Sequence, residues 1–219
     1  MTAASRGPLL VVLDVDSTLI GQEVVDLIAD AAGVGAEVAA ATASAMRGEV
    51  DFAASLARRV ALLEGLPVSV LGEVRARITV TDGVPELIEA VHADGGAVAA
   101  VSGGFRQVLD PLAAELGLDR WCANDLGAAE GRLTGLVTGG VVDAPAKRAA
   151  LLGWAAELGS GPTVAIGDGA NDLGMMAAAT LSVAFDAKPA VRAAADVALP
   201  GRSLRPLVGL LRRRGGRPG

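Results

Sequence analysis

The sequence predicts an α/β fold in which a parallel sheet is flanked by helices. Three short apolar runs carry this prediction, at Leu9–Leu13, Ala97–Val101 and Pro162–Ile166, because runs without polar alternation are typical of strands buried on both faces. Segments with helical periodicity separate them. The chain has 219 residues, of which 52% are hydrophobic, enough to build a sizeable core.

The first strand ends in two carboxylates, Asp14 and Asp16, followed by Ser17 and Thr18. The carboxyl ends of parallel strands are where α/β sheets bind ligands. Two like charges about 4 Å apart repel by roughly 4 kcal/mol at an effective dielectric near 20. A cation, or a proton held on one acid of the pair, must offset this repulsion.

Residues 20–79 have a helical pattern throughout, which is longer than a simple strand-to-strand crossover requires. We therefore expect an inserted helical cap domain at 20–79 and a core domain formed by 1–19 and 80–219. Gly33 is a typical helix stop. The cap helices are expected at about 22–32, 35–47, 50–63 and 67–77.

The remainder of the chain alternates between helices, strands and turns. A β-hairpin is expected at Cys122–Leu126 and Leu133–Val137, lying off the main sheet. Short strands are expected at Leu181–Phe185 and Asp196–Leu199. The predicted helices are 84–93, 105–116, 145–158, a segment containing Lys188, and 203–213.

Composition excludes several classes of protein. The net charge of −6, without a basic surface interleaved with aromatic residues, argues against nucleic acid as a partner. No apolar stretch approaches the length of a membrane span, and no signal peptide is visible. Cys122 is the single cysteine, which favours a reducing cytoplasm. His92 is the single histidine, on an expected helix surface, so a Ser-His-Asp triad is hard to assemble.

Two further segments point to an anion site. Ser102-Gly103-Gly104 stands between a strand and a helix start, where backbone N–H groups and the helix dipole favour an anion, although many such turns carry glycines for steric reasons alone. Lys147 lies in the first turn of a predicted helix, against the dipole. It is one of only two lysines, with Lys188, among 19 basic residues.

The third strand brings two more acids, Asp168 and Asp172, to the same edge. Four carboxylates without histidine or cysteine indicate Mg²⁺. With a lysine, a hydroxyl and helix-start amides, such a site suits phosphoryl transfer. Since no histidine is available, we expect Asp14 to attack phosphorus and Asp16 to move protons.

These residues form a set that resembles the haloacid dehalogenase superfamily. The matching motifs are Asp14 to Thr18, Ser102 to Gly104, Lys147, and Gly167 to Asp172, in that order. The resemblance extends from about Leu10 to Leu207 and implies a Rossmann-like core with an inserted cap. Longer stretches resemble the members that hydrolyse O-phospho-L-serine: Asp14 to Asp30, Glu49 to Val60, Val101 to Phe105, and Val164 to Met175.

The resemblance implies a role for each matched residue. Asp14 would be the nucleophile and Asp16 the acid/base. Mg²⁺ would be held by Asp14, the backbone carbonyl of Asp16, and Asp168, with Asp172 supporting through a water. The phosphoryl oxygens would be held by Ser102, the Gly103 amide and Lys147.

In the cap, the resemblance implies that Glu23 binds the substrate ammonium and Arg59 its carboxylate. Without the resemblance, these two residues would be interpreted as part of a solvated helix face. Met46, Phe52 and Asn171 would complete the substrate site. The implied activity is Mg²⁺-dependent hydrolysis of O-phospho-L-serine through an aspartyl phosphate, the last step of serine biosynthesis. As a separate expectation, the chain is a monomer or a homodimer. Transfer to another acceptor such as homoserine, another small phosphomonoester, and a non-catalytic phospho-ligand sensor remain alternatives.

Overall fold

A computed structural model describes residues 7–36, 38 and 52–215 of the chain. It confirms the α/β class: strands and helices alternate around one sheet. The strands are β1 Leu10–Leu13, β2 Ala97–Phe105, β3 Arg120–Ala129, β4 Arg132–Thr138, β5 Thr163–Gly167, β6 Leu181–Phe185 and β7 Val197–Leu199. The helices are α1 Val24–Ala32, α2 Phe52–Ala61, α3 Val70–Ala76, α4 Val84–Ala93, α5 Arg106–Leu116, α6 Ala144–Glu157, α7 Leu173–Ala178, α8 Pro189–Ala194 and α9 Arg205–Gly215.

The seven strands form a single sheet in the order β4-β3-β2-β1-β5-β6-β7. Among the strands of the described residues, only the β3–β4 pair is antiparallel. β1 lies at the centre, with Leu13 paired to Ala100 on β2 and to Ile166 on β5. The carboxyl ends of these three strands therefore meet at one edge, directly before the segments that the sequence singled out.

Both faces of the central strand are buried, as its sequence predicts. Val11 and Leu13 pack in one apolar cluster, with residues of α4, α5 and α9. Leu10 and Val12 pack in a second cluster, with residues of α6, α7 and α8. The helices thus form a layer on each face of the sheet.

The expected β-hairpin is present, but its predicted position off the main sheet is wrong. β3 pairs in parallel with β2, matching Ala99 to Arg120 and Val101 to Cys122, and β4 then adds an antiparallel edge. The hairpin joins the sheet because β3 runs alongside β2 and pairs with it from Ala99 to Phe105. Between Val101 and Phe105 the register with β3 shifts, and β2 carries two residues more than its partner.

The chain between the first strand and α4 leaves and re-enters the core through paired segments. Ile20 and Val80 form an antiparallel bridge. The Gly21 N–H donates to the Thr79 carbonyl at 3.0 Å, and the Thr81 N–H donates to the Leu19 carbonyl at 3.0 Å. The entry and exit of residues 20–79 are thereby held side by side.

The inserted segment also packs along the outer edge of β4. Pro67 forms a bridge with Arg132, and the Gly65 N–H donates to the Leu133 carbonyl at 2.8 Å. The helix α1 ends at Gly33, whose φ of 73° fits the predicted stop. Most of the helix expected at 35–47 lies outside the described residues.

Within the described part of the chain, no helix combines the length and the apolar character needed to cross a membrane.

Candidate active site

A tight turn after β1 separates the two acids that open the site. Val15–Leu19 forms one π-helical turn that is interrupted at Asp16 and Ser17, and Ser17 has a φ of 57°. Asp14 Oδ1 accepts a hydrogen bond from the Val15 N–H at 2.7 Å. Asp16 Oδ1 accepts from the Val24 N–H, the first residue of α1, at 3.3 Å. Each acid is therefore held by a different element.

Lys147 lies beneath the site and joins two of the strand ends. Its Nζ lies 2.6 Å from Asp14 Oδ1 and 2.8 Å from Asp172 Oδ1, and the residue is 1% exposed. Its helix α6 is capped by Asp143, whose side chain accepts from the Ala146 N–H at 2.9 Å. The unfavourable position near a helix N-terminus is thus offset by two carboxylates.

Three acids surround the position where a cation could bind. Asp14, Asp168 and Asp172 each offer an oxygen atom, and these atoms all lie within 4.8 Å of one another. When all are ionised, three carboxylates and the Lys147 ammonium leave an excess of two negative charges. An all-oxygen donor set with surplus negative charge fits a hard divalent metal ion.

Gly167 makes room for this cluster. A Cβ at Gly167 would lie 2.5 Å from the Asp172 carboxylate carbon. Asp172 is fully buried, and its Oδ2 accepts from the Gly169 N–H at 3.1 Å. The glycines in Gly167 to Asp172 therefore allow the acid to pack directly against the strand end.

Burial and nearby negative charges shift Asp14, Asp16 and Asp168 toward their protonated forms. Burial, and then the Asp172 carboxylate, raises the pKa of Asp14 well above its ordinary value. Burial, and then Glu23, raises the pKa of Asp16 to about 7. Burial, with Asp172 next in size, raises the pKa of Asp168 to about 6. For Lys147, burial favours the neutral amine, but Asp14 and Asp172 outweigh it and raise its pKa.

The Ser102–Gly104 segment is the bulge at the end of β2. Ser102 Oγ accepts from the Gly104 N–H at 2.7 Å. A Cβ on Gly104 would lie 2.8 Å from Asp16 Oδ2 and 3.0 Å from Ser102 Oγ. Because Gly104 has no side chain, the Ser102 hydroxyl and the Asp16 carboxylate can both lie close to the backbone of the bulge.

A cavity of about 770 Å³ opens above these groups, between the sheet edge and the inserted segment. Glu23, Phe52 and Arg59 line it from the inserted segment. The Phe52 ring lies over Gly103, where a Cβ would come within 2.9 Å of the ring. The Ser17 hydroxyl donates to Glu23 Oε1 at 2.7 Å. Burial lowers the pKa of the Arg59 guanidinium. The nearby carboxylates of Asp26, Glu23 and Asp16 partly counteract this shift.

The structure brings nearly all of the expected site residues together. The cavity is lined by Asp14, Asp16, Glu23, Phe52, Arg59, Gly103, Asp168 and Asn171. Ser102, Lys147 and Asp172 are buried next to it. Met46 lies outside the described residues.

Several residues at the site were not predicted from the sequence. Asp26 and Lys188 line the cavity, and burial raises the pKa of Asp26. Asn124 contacts the Gly103 carbonyl. The rarity of lysine marked Lys188 without giving it a role. Asn124 is one of three polar residues in β3, with Arg120 and Asp125, and its contact depends on the pairing of β2 with β3.

Comparison with known proteins agrees with this geometry. A phosphoserine phosphatase of Streptomyces coelicolor is 54% identical over 196 residues, which are 89% of this chain and 48% of that protein. A phosphoserine phosphatase of Lactococcus lactis is 46% identical, and the match covers 92% of this chain and 93% of that one. A solved phosphoserine phosphatase with an analogue of its phospho-aspartyl intermediate superposes with a TM-score of 0.87 at 40% identity, covering 94% of this chain and 99% of that chain.

A mostly parallel sheet whose central strand is followed by two aspartates, with a lysine and two more acids brought to them, is typical of α/β hydrolases with an aspartate-rich site. Within that class, the chain belongs to the haloacid dehalogenase-like hydrolase family, whose sequence model matches residues 11–177. The chain spans about half the length of the Streptomyces relative.

Proposed function

We propose that this chain is a Mg²⁺-dependent phosphatase that hydrolyses O-phospho-L-serine to L-serine and phosphate. One observation carries the proposal: an acid cluster suited to phosphoryl transfer opens into a cavity whose opposite wall carries Glu23 and Arg59. The substrate's amino-acid end bears one ammonium and one carboxylate, so it requires one partner of each sign.

In the first step, a carboxylate oxygen of Asp14 attacks phosphorus. The bond between phosphorus and the serine oxygen breaks, and its electron pair goes to that oxygen. Asp16, whose pKa is raised to about 7, donates the proton that completes the hydroxyl of L-serine. Asp14, the Asp16 carbonyl and Asp168 would hold Mg²⁺, with support from Asp172, and the ion would supply positive charge against the repulsion between the nucleophile and the phosphoryl oxygens.

In the second step, a water molecule attacks the phosphorus of the aspartyl phosphate. Asp16 accepts a proton from this water, and the bond between Asp14 and phosphorus breaks to release inorganic phosphate. Ser102, the Gly103 N–H and Lys147 hold the phosphoryl oxygens throughout. The end of β2 positions Ser102 and Gly103, and the ion pairs with Asp14 and Asp172 position Lys147, before substrate arrives. Donors that are positioned in advance lower the free energy of a charged transition state.

We assign residues 20–79 to a cap domain and residues 1–19 and 80–219 to the core. The paired entry and exit at Ile20 and Val80 support this division. In the cap, Glu23 binds the substrate ammonium and Arg59 its carboxylate, beside Met46 and Phe52, and Asn171 adds a polar contact from the core.

All of these residues belong to one chain, so the proposed site is compatible with either a monomer or a homodimer. A single cysteine, Cys122, suits a reducing cytoplasm.

The test is phosphate release with Mg²⁺ from O-phospho-L-serine, O-phosphoethanolamine and p-nitrophenyl phosphate. We expect the highest kcat/KM for O-phospho-L-serine, because only that substrate presents both charges to the cap. Equal kcat/KM for all three would contradict the substrate assignment. Phosphohomoserine formed when homoserine is added would indicate transfer instead of hydrolysis, and binding without turnover would indicate a sensor.

A further inference from the structure

The Asn124 side chain on β3 lies behind the bulge that carries the proposed phosphoryl-binding groups. It is fully buried. Its Nδ2 donates to the Gly103 carbonyl at 2.8 Å, and its Oδ1 accepts from the Val142 N–H at 2.7 Å. Since one partner is an acceptor and the other a donor, a single orientation of the amide satisfies both bonds.

The first bond replaces a contact that the sheet cannot make. Between Val101 and Phe105, β2 carries two more residues than β3, so the ladder between the two strands is interrupted there. The peptide between Gly103 and Gly104 is instead held at both ends. Asn124 binds its carbonyl, and Ser102 Oγ accepts from its N–H at 2.7 Å.

This clamp also defines what Ser102 can offer to a ligand. Its oxygen already accepts from the Gly104 N–H, so the hydroxyl proton is available for donation to another group. The peptide that Asn124 holds is the one that supplies this N–H. Rotation of the peptide would therefore release Ser102 and displace Gly103 together.

The second bond joins Asn124, and through it the bulge, to the segment that precedes the helix of Lys147. Val142 directly precedes Asp143, which caps the helix α6, and Lys147 lies in the first turn of that helix. Asn124 thus lies between two groups that must approach the same phosphoryl group from different elements.

We propose that Asn124 is a positioning residue that fixes the Ser102–Gly104 bulge relative to Lys147 for phosphoryl binding. This inference rests on the proposed function, because it takes the bulge and Lys147 to be the phosphoryl site. Asn124 contacts the bulge backbone and acts through it. Its removal therefore affects every phosphomonoester alike, whatever the alcohol that leaves.

Gln107 provides a matched control for a purely structural role. Its Nε2 donates to Asp125 Oδ1 at 2.7 Å and to the Leu126 carbonyl at 2.9 Å, and its Oε1 accepts from the Leu126 N–H at 3.2 Å. Like Asn124, it is a side-chain amide that both donates and accepts hydrogen bonds between elements, here between α5 and β3. Unlike those of Asn124, these hydrogen bonds do not involve the bulge.

The experiment compares Asn124→Ala, Asn124→Asp and Gln107→Ala with the parent, at a temperature well below each melting transition. We measure kcat and KM for O-phospho-L-serine and p-nitrophenyl phosphate, the inhibition constant of inorganic phosphate, and Tm. Asn124→Asp keeps the size and the acceptor for the Val142 N–H but loses the donor to Gly103, so it tests the clamp even if Asn124→Ala does not fold.

We expect both Asn124 variants to lose about 10- to 100-fold in kcat/KM, by the same factor for both substrates, and to bind phosphate more weakly. Gln107→Ala should keep kcat/KM within about twofold of the parent value, even if its Tm falls as far as that of the Asn124 variants. Asn124 variants that match Gln107→Ala in kcat/KM and in phosphate inhibition would overturn the inference. A parent without turnover would overturn the proposed function instead, and phosphate binding, measured by calorimetry in the parent and the variants, would then decide the role of Asn124.

Discussion

Gly104 touches two side chains to which we assign proton transfer and phosphoryl binding. A methyl group there would lie 2.8 Å from Asp16 Oδ2 and 3.0 Å from Ser102 Oγ, and Asp16 cannot move freely because it also caps α1. We expect Gly104→Ala to lower kcat by about 100-fold, the cost of displacing a reacting group by about 1 Å. The measurement is steady-state phosphate release from O-phospho-L-serine.

Gly153→Ala is the control for this substitution. Gly153 lies within α6, where an added Cβ meets no atom within 4 Å. Alanine favours a helix over glycine by up to about 1 kcal/mol, so this variant should gain stability and keep its activity. Full activity in Gly104→Ala would contradict the placement of Asp16 beside the bulge in the working enzyme.

Arg59 tests how the cap recognises the substrate. Arg59→Ala should raise the KM for O-phospho-L-serine by about 10- to 100-fold, the usual value of a hydrogen bond to a charged group. The KM for p-nitrophenyl phosphate, which has no carboxylate, should hardly change. Arg58→Ala is the matched control, because Arg58 is exposed on the same helix. Equal losses with both substrates would refute the role given to Arg59.

Among the secondary-structure elements, β4 forms the platform on which the inserted segment rests. Gly135 on β4 has a φ of 73°, and a Cβ there would lie 2.9 Å from Glu64 Cβ. The methyl group in Gly135→Ala should therefore push Glu64 away from β4, and it should also strain the backbone. We expect faster proteolysis within residues 20–79 and a higher KM for O-phospho-L-serine, measured by limited digestion and by steady-state kinetics.

Gly139→Ala separates the two effects. Gly139 has a φ of 76° and no atom within 4 Å of an added Cβ, so it carries the backbone strain without the clash. Strain of this kind costs about 1 to 2 kcal/mol in both variants. Identical proteolysis of the two variants would show that the contact between β4 and the inserted segment does not hold the cap.

The elements that the sequence predicted well are those whose signals are local. An unbroken apolar run followed by acids defines β1 and Asp14, and the same pattern defines β5 and Asp168. The two-residue bulge in β2 and the place of the hairpin in the sheet depend on the register between strands. A register is set by contacts between distant residues, so neither feature was predictable from local pattern.

The turn after β1 and the role of Asn124 show the same limit. Ser17 adopts a φ of 57°, which is uncommon outside glycine, because the chain must turn from β1 toward α1 while both acids stay at the sheet edge. Asn124 gains its contacts only when β3 pairs beside the bulge. Its residue type alone gave no reason to choose it over other polar residues.

For the molecule as a whole, the acid cluster links folding stability to pH. The pKa of Asp16 is raised from 3.8 to about 7 and that of Asp168 from 3.8 to about 6, in each case chiefly by burial. Between these values the folded chain holds protons that the unfolded chain has lost, so metal-free stability falls as pH rises. We expect Tm in a chelator to fall between about pH 5 and pH 8, and to fall less in Asp16→Asn.

Mg²⁺ should oppose this fall in Tm with rising pH. Protons and the metal ion compete for the same carboxylates, so added Mg²⁺ should raise Tm more at about pH 8 than at about pH 5. Differential scanning calorimetry across this range measures both effects. A Tm that rises with pH in the chelator, or the same metal-induced shift at both values, would contradict the arrangement of the cluster.

The central claim is that Asp14 forms the bond to phosphorus. The most direct measurement is acid-quenched reaction of the parent with phosphorus-labelled O-phospho-L-serine, followed by mass spectrometry of the peptide containing Asp14, with Asp14→Asn in parallel. We predict label on Asp14 in the parent, and no label with less than about a hundredth of the turnover in Asp14→Asn. Label on another side chain, or parent-like turnover by Asp14→Asn, would contradict the claim.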